Sequence, residues 1–317
     1  MKEAEFQFQD LGYYELVSNN DEQTKQMKIT IIKELKDALI NLGLFSHCVL
    51  FTKDNTGIYC YILKIAQINT ATGEIIIEAD EELKTIKGKL ADIKPFFPCE
   101  ELAEGYVFRE EQDKEAFTQF FYKGNPIGKY IFANNYGTIK FQESDSLSAD
   151  EITDTLNKIK ANDFLRIIWW FDRFDDKRYR SHVMCKPPYE NAPRCGVFAT
   201  RSPVRPNPLA STVVKVMSVD PYNYSISILG FDGFEQSAVL QIMPHQEKEL
   251  SDIRVPGWVE HWIEYKTFND VTELNIDNDN KSFEFDNADY YDELERDEFF
   301  VNEDLSDEIL VENACIH

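Results

Sequence analysis

The sequence predicts a mainly β (α+β) protein made of two tandem β-rich domains, and three observations lead there. Short strand-like runs recur along its 317 residues, with hairpin signals at Asn55–Gly57, Ala71–Gly73 and Asp220–Asn223. The order of elements repeats in the two halves. No Gly-x-Gly-x-x-Gly follows a strand, so neither a dinucleotide-binding fold nor a P-loop is indicated. A barrel or sandwich suits this pattern better than an α/β sheet.

The repeat can be followed element by element. Phe6–Leu16 and Asn125–Phe132 both read as strands with a glycine near the start. Amphipathic segments come next, Lys33–Leu42 and Ala149–Ile159, the second opened by the capping candidates Ser148 and Asp150. Buried-looking strands then appear at Phe45–Phe51 and Phe164–Phe171, 119 residues apart. Cys60–Ile65 parallels Thr212–Val216, and Glu74–Glu78 parallels Ser225–Leu229. Asp92–Pro95 parallels Gln241–Pro244 at an offset of 149. The second copy therefore holds about 30 extra residues, close to the interval Asp172–Pro203. In the first copy a short turn, Thr52–Gly57, takes their place. The expected domains are residues 1–120 and 121–265, joined by a helical stretch around Glu100–Phe121. Residues 266–317 follow as an extended or disordered acidic tail.

Charge is unevenly spread. The net charge is −24, yet residues 266–317 carry 17 acidic against three basic side chains. From Arg173 to Arg205 the balance reverses, with eight basic against three acidic residues. A cationic island in an acidic chain attracts an anion locally. The six cysteines are scattered without a Cys-x-x-Cys pair, which argues for reduced thiols rather than a disulfide framework or zinc site. No apolar run approaches the ~18 residues of a membrane span. The N-terminus lacks a basic-then-apolar signal, and a cytoplasmic location away from membranes is expected.

The most informative stretch is Gly196–Pro208, which sets Arg201 and Arg205 in a loop stiffened by Pro203, Pro206 and Pro208. Two guanidiniums on a pre-shaped loop suit a carboxylate or phosphate. Pro203 and Pro206 also form a Pro-x-x-Pro element that an aromatic groove of a partner could take. On the residues alone both readings stand.

From Val197 to Val216 the sequence resembles the TrmO (TsaA-like, YaeB-like) family of S-adenosylmethionine-dependent methyltransferases, which act on N6 of a modified adenine at position 37 of tRNA. The likeness covers about Pro126–Trp262 and extends more weakly to the first half. It implies a small β-barrel in each half, the first lacking the Arg-Pro motif. Since the family forms dimers with cofactor sites near the subunit contact, it also implies a fused pseudo-dimer with one site per chain, open to further homo-oligomerisation. The cofactor-binding residues it implies are Asp172, Arg173, Arg201, Arg205, Asn207, Leu209, Ser211, Asp232, Gly233, Phe234 and Glu235, with Arg201 on the cofactor's carboxylate. Asp232 and Glu235 would meet ribose hydroxyls or the amino group. Asp172, Glu235 and His182 are the candidates for a general base. The basic segment Arg173–Arg205 would meet tRNA phosphates, with Tyr179, Tyr189 or Phe198 stacking on a base.

The sequence departs from the family at several positions. Gln236 replaces a Gly, Gln241 an Asp, Met243 a Lys and His245 a Tyr, while Ala210 and Ser211 replace Gly-Leu. The first copy retains the family-like Asp92-Ile-Lys-Pro95. Two other functions fit the residues: S-adenosylmethionine binding without methyl transfer, and methylation of a small anionic substrate.

Overall fold

The computed structural model describes residues 6–17, 26–54, 57–78, 87–97, 128–133, 136–144, 147–187, 191–231, 233–234, 236–245, 250 and 252–262. The acidic tail, the Glu100–Phe121 connection, Tyr189, Asp232 and Glu235 lie outside them.

Six strands close a first barrel: β1 (Gly12–Val17), β2 (Gln26–Ile31), β3 (His47–Lys53), β4 (Ile58–Asn69), β5 (Glu74–Glu78) and β6 (Lys87–Pro95), in the order β1-β2-β5-β4-β3-β6. Strands β7 (Gly128–Ala133), β8 (Tyr136–Phe141) and β9 (Phe164–Trp170) begin a second. A two-stranded pair, β10 (Met184–Cys185) with β11 (Cys195–Gly196), intervenes before β12 (Leu209–Asp220), β13 (Ser225–Leu229) and β14 (Ala238–Pro244) complete it. Taken round the barrel, the second order β7-β8-β13-β12-β9-β14 is that of the first, strand for strand. Even the register breaks coincide: β4 against β5 shifts between Ile65 and Gln67, and β12 against β13 between Val216 and Ser218. Both barrels are thus bent at the same corner by a bulge.

Register corrects the sequence alignment in one place. His47 pairs with Lys64 as Phe164 pairs with Lys215, so His47 rather than Phe45 corresponds to Phe164. Residues 54–57 link β3 to β4, whereas residues 171–208 link β9 to β12. Phe6–Leu11, expected as strand, is an arm outside the sheet. Its aromatic side chains pack on the other barrel instead, Phe6 and Phe8 each with its ring centroid 5.1 Å from that of Trp170.

The two amphipathic segments take different forms. The second is an α-helix, α1 (Ala149–Leu156), closed by a capping box in which Ser148 and Glu151 satisfy each other's backbone N–H groups. Lys33–Leu39 is a 3-10 helix whose preceding residue, Ile32, has no side chain able to cap it. Replacing Ser148 by Ala should lower stability by about 1 kcal/mol, read as a shifted urea midpoint with an unchanged slope.

The barrels meet along equivalent faces. Val49, Phe51, Ile58 and Ala91 of the first form one buried cluster with Ile168, Trp170, Leu209 and Leu240 of the second. The long link of the second half then crosses over. Cys195, Val197, Phe198 and Ala199 lie in the core of the first barrel with Ala38, Leu39 and Leu42. Val255 and Val259 join that core from beyond β14, and the Arg254 amide donates to Ser46 Oγ at 2.7 Å. The sequence boundary near residue 120 therefore divides strands but not cores. Gly196 makes the crossing possible: its N–H donates to Ile40 O at 3.0 Å, and a Cβ there would sit 2.2 Å from Ala38 O. Gly196→Ala should destabilise by about 1–3 kcal/mol through overpacking, visible as a lower midpoint in thermal unfolding. Among the described residues no helix is long and apolar enough to cross a membrane.

Candidate functional site

From the cap on the first barrel, Thr200–Pro208 runs back along the seam to β12. Local hydrogen bonds set its turns: Thr200 Oγ1 donates to Val197 O at 3.1 Å, and Ser202 Oγ accepts from the Val204 amide at 3.2 Å. At its end the Phe171 amide donates to Pro208 O at 2.9 Å, which joins the loop to the exit of β9.

Arg205 and Asn207, expected to face a cofactor, are instead wholly buried in the seam. Arg205 Nη2 donates to Asp92 Oδ1 at 2.7 Å and to Ile93 O at 2.6 Å. Its Nη1 donates to Thr200 O at 3.1 Å and Ser202 O at 3.2 Å. Asn207 donates to Gln9 O and Ala91 O at 3.1 and 2.9 Å, and accepts from the Gln9 amide at 2.7 Å. A desolvated charge needs a partner, and the first barrel supplies it. Both residues shape the loop, and neither presents its polar atoms to solvent.

The partners come from the element that looked misplaced in the sequence. Asp92 and Lys94 belong to β6, and the loop they hold belongs to the other half. Lys94 Nζ donates to Leu209 O at 2.5 Å and lies 5.6 Å from the Phe171 ring centroid. Burial pushes the Asp92 carboxyl up, while the Arg205 and Lys94 cations pull it back down. In the corresponding place on β14, Gln241 Oε1 accepts from the Ile58 amide at 2.9 Å. The charged contact is thus made on one side of the seam and a neutral one on the other. Sequence reading missed Asp92, Lys94, Gln9 and Arg180 as members of the site. The intact Asp92–Pro95 in a half without the arginine loop was the signal.

Arg180 closes the loop from outside. Its Nε donates to Pro206 O at 2.8 Å, Nη1 to Asp175 Oδ1 at 2.7 Å and Nη2 to Gln7 O at 2.5 Å. Two arginines of the cationic island, Arg180 and Arg205, are therefore consumed internally. Arg173, Lys177, Arg178, Lys186 and Arg194 are exposed, and Arg201 is half-buried with its guanidinium carbon 4.9 Å from the Phe97 ring centroid.

A second cluster lies where β9 ends. Asp172 is exposed, and its Oδ2 accepts from the Ala238 amide at 2.9 Å. Arg173 lies 4.3 Å above the Phe234 ring. Gly233 lies against Phe231, whose ring atom Cε1 would be 2.2 Å from an added Cβ. Phe231 in turn is 5.2 Å from Trp169, and Phe171 is 4.5 Å from it, both centroid to centroid. Phe174 and Tyr179 continue the aromatic row at 5.2 Å, with Arg178 4.6 Å over Tyr179. The structure thus brings Asp172, Arg173, Gly233 and Phe234 together at one end of the loop and sets Arg201 at the other. Leu209 is buried in the seam, and Ser211 Oγ accepts from Arg166 Nη1 at 3.0 Å. His182, half-buried after the short helix α2 (Lys177–Arg180), donates its amide to Tyr179 O at 3.4 Å, which ties it to the second cluster through the backbone. Phe198, expected as a stacking residue, is buried in the first barrel. Burial pushes the Cys48 thiol up to about 12 and that of Cys195 up to about 11, so neither offers a thiolate at neutral pH.

Residues 120–249 match the family model described as the tRNA-methyltransferase O N-terminal domain. A probable S-adenosyl-L-methionine-binding protein of Methanocaldococcus jannaschii is 33% identical over 124 residues, which cover 39% of this chain and 91% of that protein. An S-adenosyl-L-methionine-binding protein of Archaeoglobus fulgidus is 36% identical over 93 residues, or 29% of this chain and 62% of that one. The crystal structure of TrmO from Pseudomonas aeruginosa aligns at 19% identity with a TM-score of 0.28, over 41% of this chain and 58% of its own.

Proposed function

The chain belongs to the tRNA-methyltransferase O N-terminal domain family, and on that premise we propose that it binds S-adenosylmethionine along the Thr200–Pro208 loop and methylates a nucleic-acid acceptor. The observation that carries the reading is the loop itself. Its C-terminal part is held from outside, Arg205 by Asp92, Pro206 by Arg180, Asn207 by Gln9 and the adjoining Leu209 by Lys94, while Thr200 and Ser202 set its first turns, so it loses little freedom when a ligand arrives.

The donor set fits the cofactor's chemistry. An elongated ligand with an anionic amino-acid end and an aromatic nucleoside end matches a loop with Arg201 at one end and an arginine-topped phenylalanine at the other. Arg201 would take the carboxylate as a charge-assisted pair. Phe171, Phe231 and Phe234 would flank the base, and the Leu209–Ser211 backbone would line the pocket beside it. When bound, the cofactor supplies an electrophilic methyl group. The chain's part is to hold the acceptor in line with that methyl and to keep water out. A base is needed only if the attacking atom must shed a proton; Asp172, exposed beside Arg173, would serve as that base.

The acceptor we propose is N6 of a modified adenine in tRNA. The exposed Arg173, Lys177 and Arg178 would meet phosphates, and Phe174 and Tyr179 among them would stack on an unpaired base. A second reading, cofactor binding without transfer, is favoured by Gln241 and Met243, which replace the family's acid and lysine in the second barrel. Against it stands the placement of Asp92 and Lys94, which keep that acid and lysine beside the loop. Labelled methyl transfer from S-adenosylmethionine to RNA of a strain lacking this protein separates the two. Label in an adenine nucleoside supports the first; cofactor binding without label in any RNA overturns it.

A further inference from the structure

The acceptor surface just proposed lies on the second barrel, but the first carries an arrangement that the cofactor loop does not use. On its outer face Lys53 of β3 is paired directly with Lys89 of β6, and Lys89 in turn with Tyr13 of β1. Residues paired across antiparallel strands share a face, so the row reads Tyr13, Lys89, Lys53 across three neighbouring strands. Like charges set opposite each other cost stability. Lys87 lies two residues along β6 from Lys89 and adds to the field, with Glu15 facing it. Asp54, which follows Lys53 in the chain, accepts from the Gly57 amide at 3.0 Å.

The row is also aromatic. Tyr13 is 52% exposed, among the few large side chains that the described surface leaves uncovered. Lys53 Nζ lies 4.1 Å above the Phe8 ring, and Phe8 packs on Trp170. Arg180 covers Trp170 from the second barrel at 5.6 Å. The lysine pair therefore sits at the edge of the seam, joined to the Lys177–Arg180 helix through two rings packed edge to face. Burial and the neighbouring Lys89 both hold the Lys53 amine below its usual range, a penalty that an anion between the two would relieve. Alternating cations and rings are the composition of a surface that tracks a phosphodiester strand.

Resting on the reading of the second barrel as the acceptor surface, we propose that Lys53 and Lys89 grip the phosphate backbone of the RNA acceptor, with Tyr13 beside them as a stacking face. The acceptor would then cross both barrels, and the first barrel would hold substrate as well as the loop.

The test is the salt dependence of unfractionated tRNA binding to the full chain. It compares wild type, Lys53→Ala/Lys89→Ala, and Lys177→Ala/Arg178→Ala. Loss of two phosphate contacts lowers the slope of log K against log salt by about 1.4–1.8. The first-barrel variant should show that loss with its S-adenosylmethionine affinity unchanged. Its melting temperature should stay close to that of wild type, because substitutions of surface side chains change stability little; this separates lost contacts from lost fold. An unchanged slope in that variant, with a reduced one in the second-barrel variant, overturns the inference and leaves the acceptor reading standing. Absence of tRNA binding by wild type overturns both.

Discussion

Asp92→Asn should lower the stability of the whole chain by about 3–5 kcal/mol, more than any single exposed contact could. The substitution keeps the side-chain shape and removes only the charge. It leaves Arg205, wholly buried, facing four neutral oxygens. An ion pair in the interior contributes little net stability compared with an apolar pair of the same volume, but breaking it from one side exposes the full desolvation cost of the survivor. Replacing both partners, Asp92→Leu with Arg205→Met, should therefore recover a substantial part of the loss. The Thr200, Ser202 and Ile93 carbonyls would still lack their donor, so recovery should stop short of wild type. Urea unfolding of wild type, Asp92→Leu, Arg205→Met and the double variant gives the cycle. Additive losses would show that Asp92 and Arg205 act separately.

Arg201→Ala should abolish measurable S-adenosylmethionine binding while changing the unfolding midpoint little. Arg201 and Arg205 are four residues apart in one motif, yet they are placed for opposite tasks. Arg205 is spent on the protein's own backbone; Arg201 keeps a half-buried guanidinium against the Phe97 ring. A charge-assisted pair with a carboxylate in a partly desolvated place contributes about 1.5–3 kcal/mol, a 10- to 100-fold change in affinity. Losing the guanidinium would also uncover the Phe97 ring that it lies 4.9 Å from, which adds to the loss. Wild-type affinity in this variant would sink the assignment of the cofactor's anionic end.

Much of the fold could be read from the residues because its signals are local. Hairpin turns, alternating apolar strands and the Ser148 capping box each act within a few residues. The corresponding order of the two halves followed from those signals alone. The site was legible only as a motif. Nothing near Arg205 in the sequence shows that its partner lies 113 residues away on the opposite barrel. Two arginines of the same loop cannot be told apart until burial is known. Phe6–Leu11 failed as a strand for the same reason, since its aromatic rings answer to Trp170 rather than to a neighbouring strand.

The crossing of the link into the first barrel has a thermodynamic consequence. The polypeptide that would touch ligand is also the polypeptide that fastens the barrels, so the two equilibria are linked. A ligand bound along Thr200–Pro208 at a hundred times its dissociation constant would hold the entire chain against unfolding by about 2.7 kcal/mol. Conversely, any change that loosens the fastening lowers the fraction of molecules ready to bind and weakens apparent affinity by that fraction.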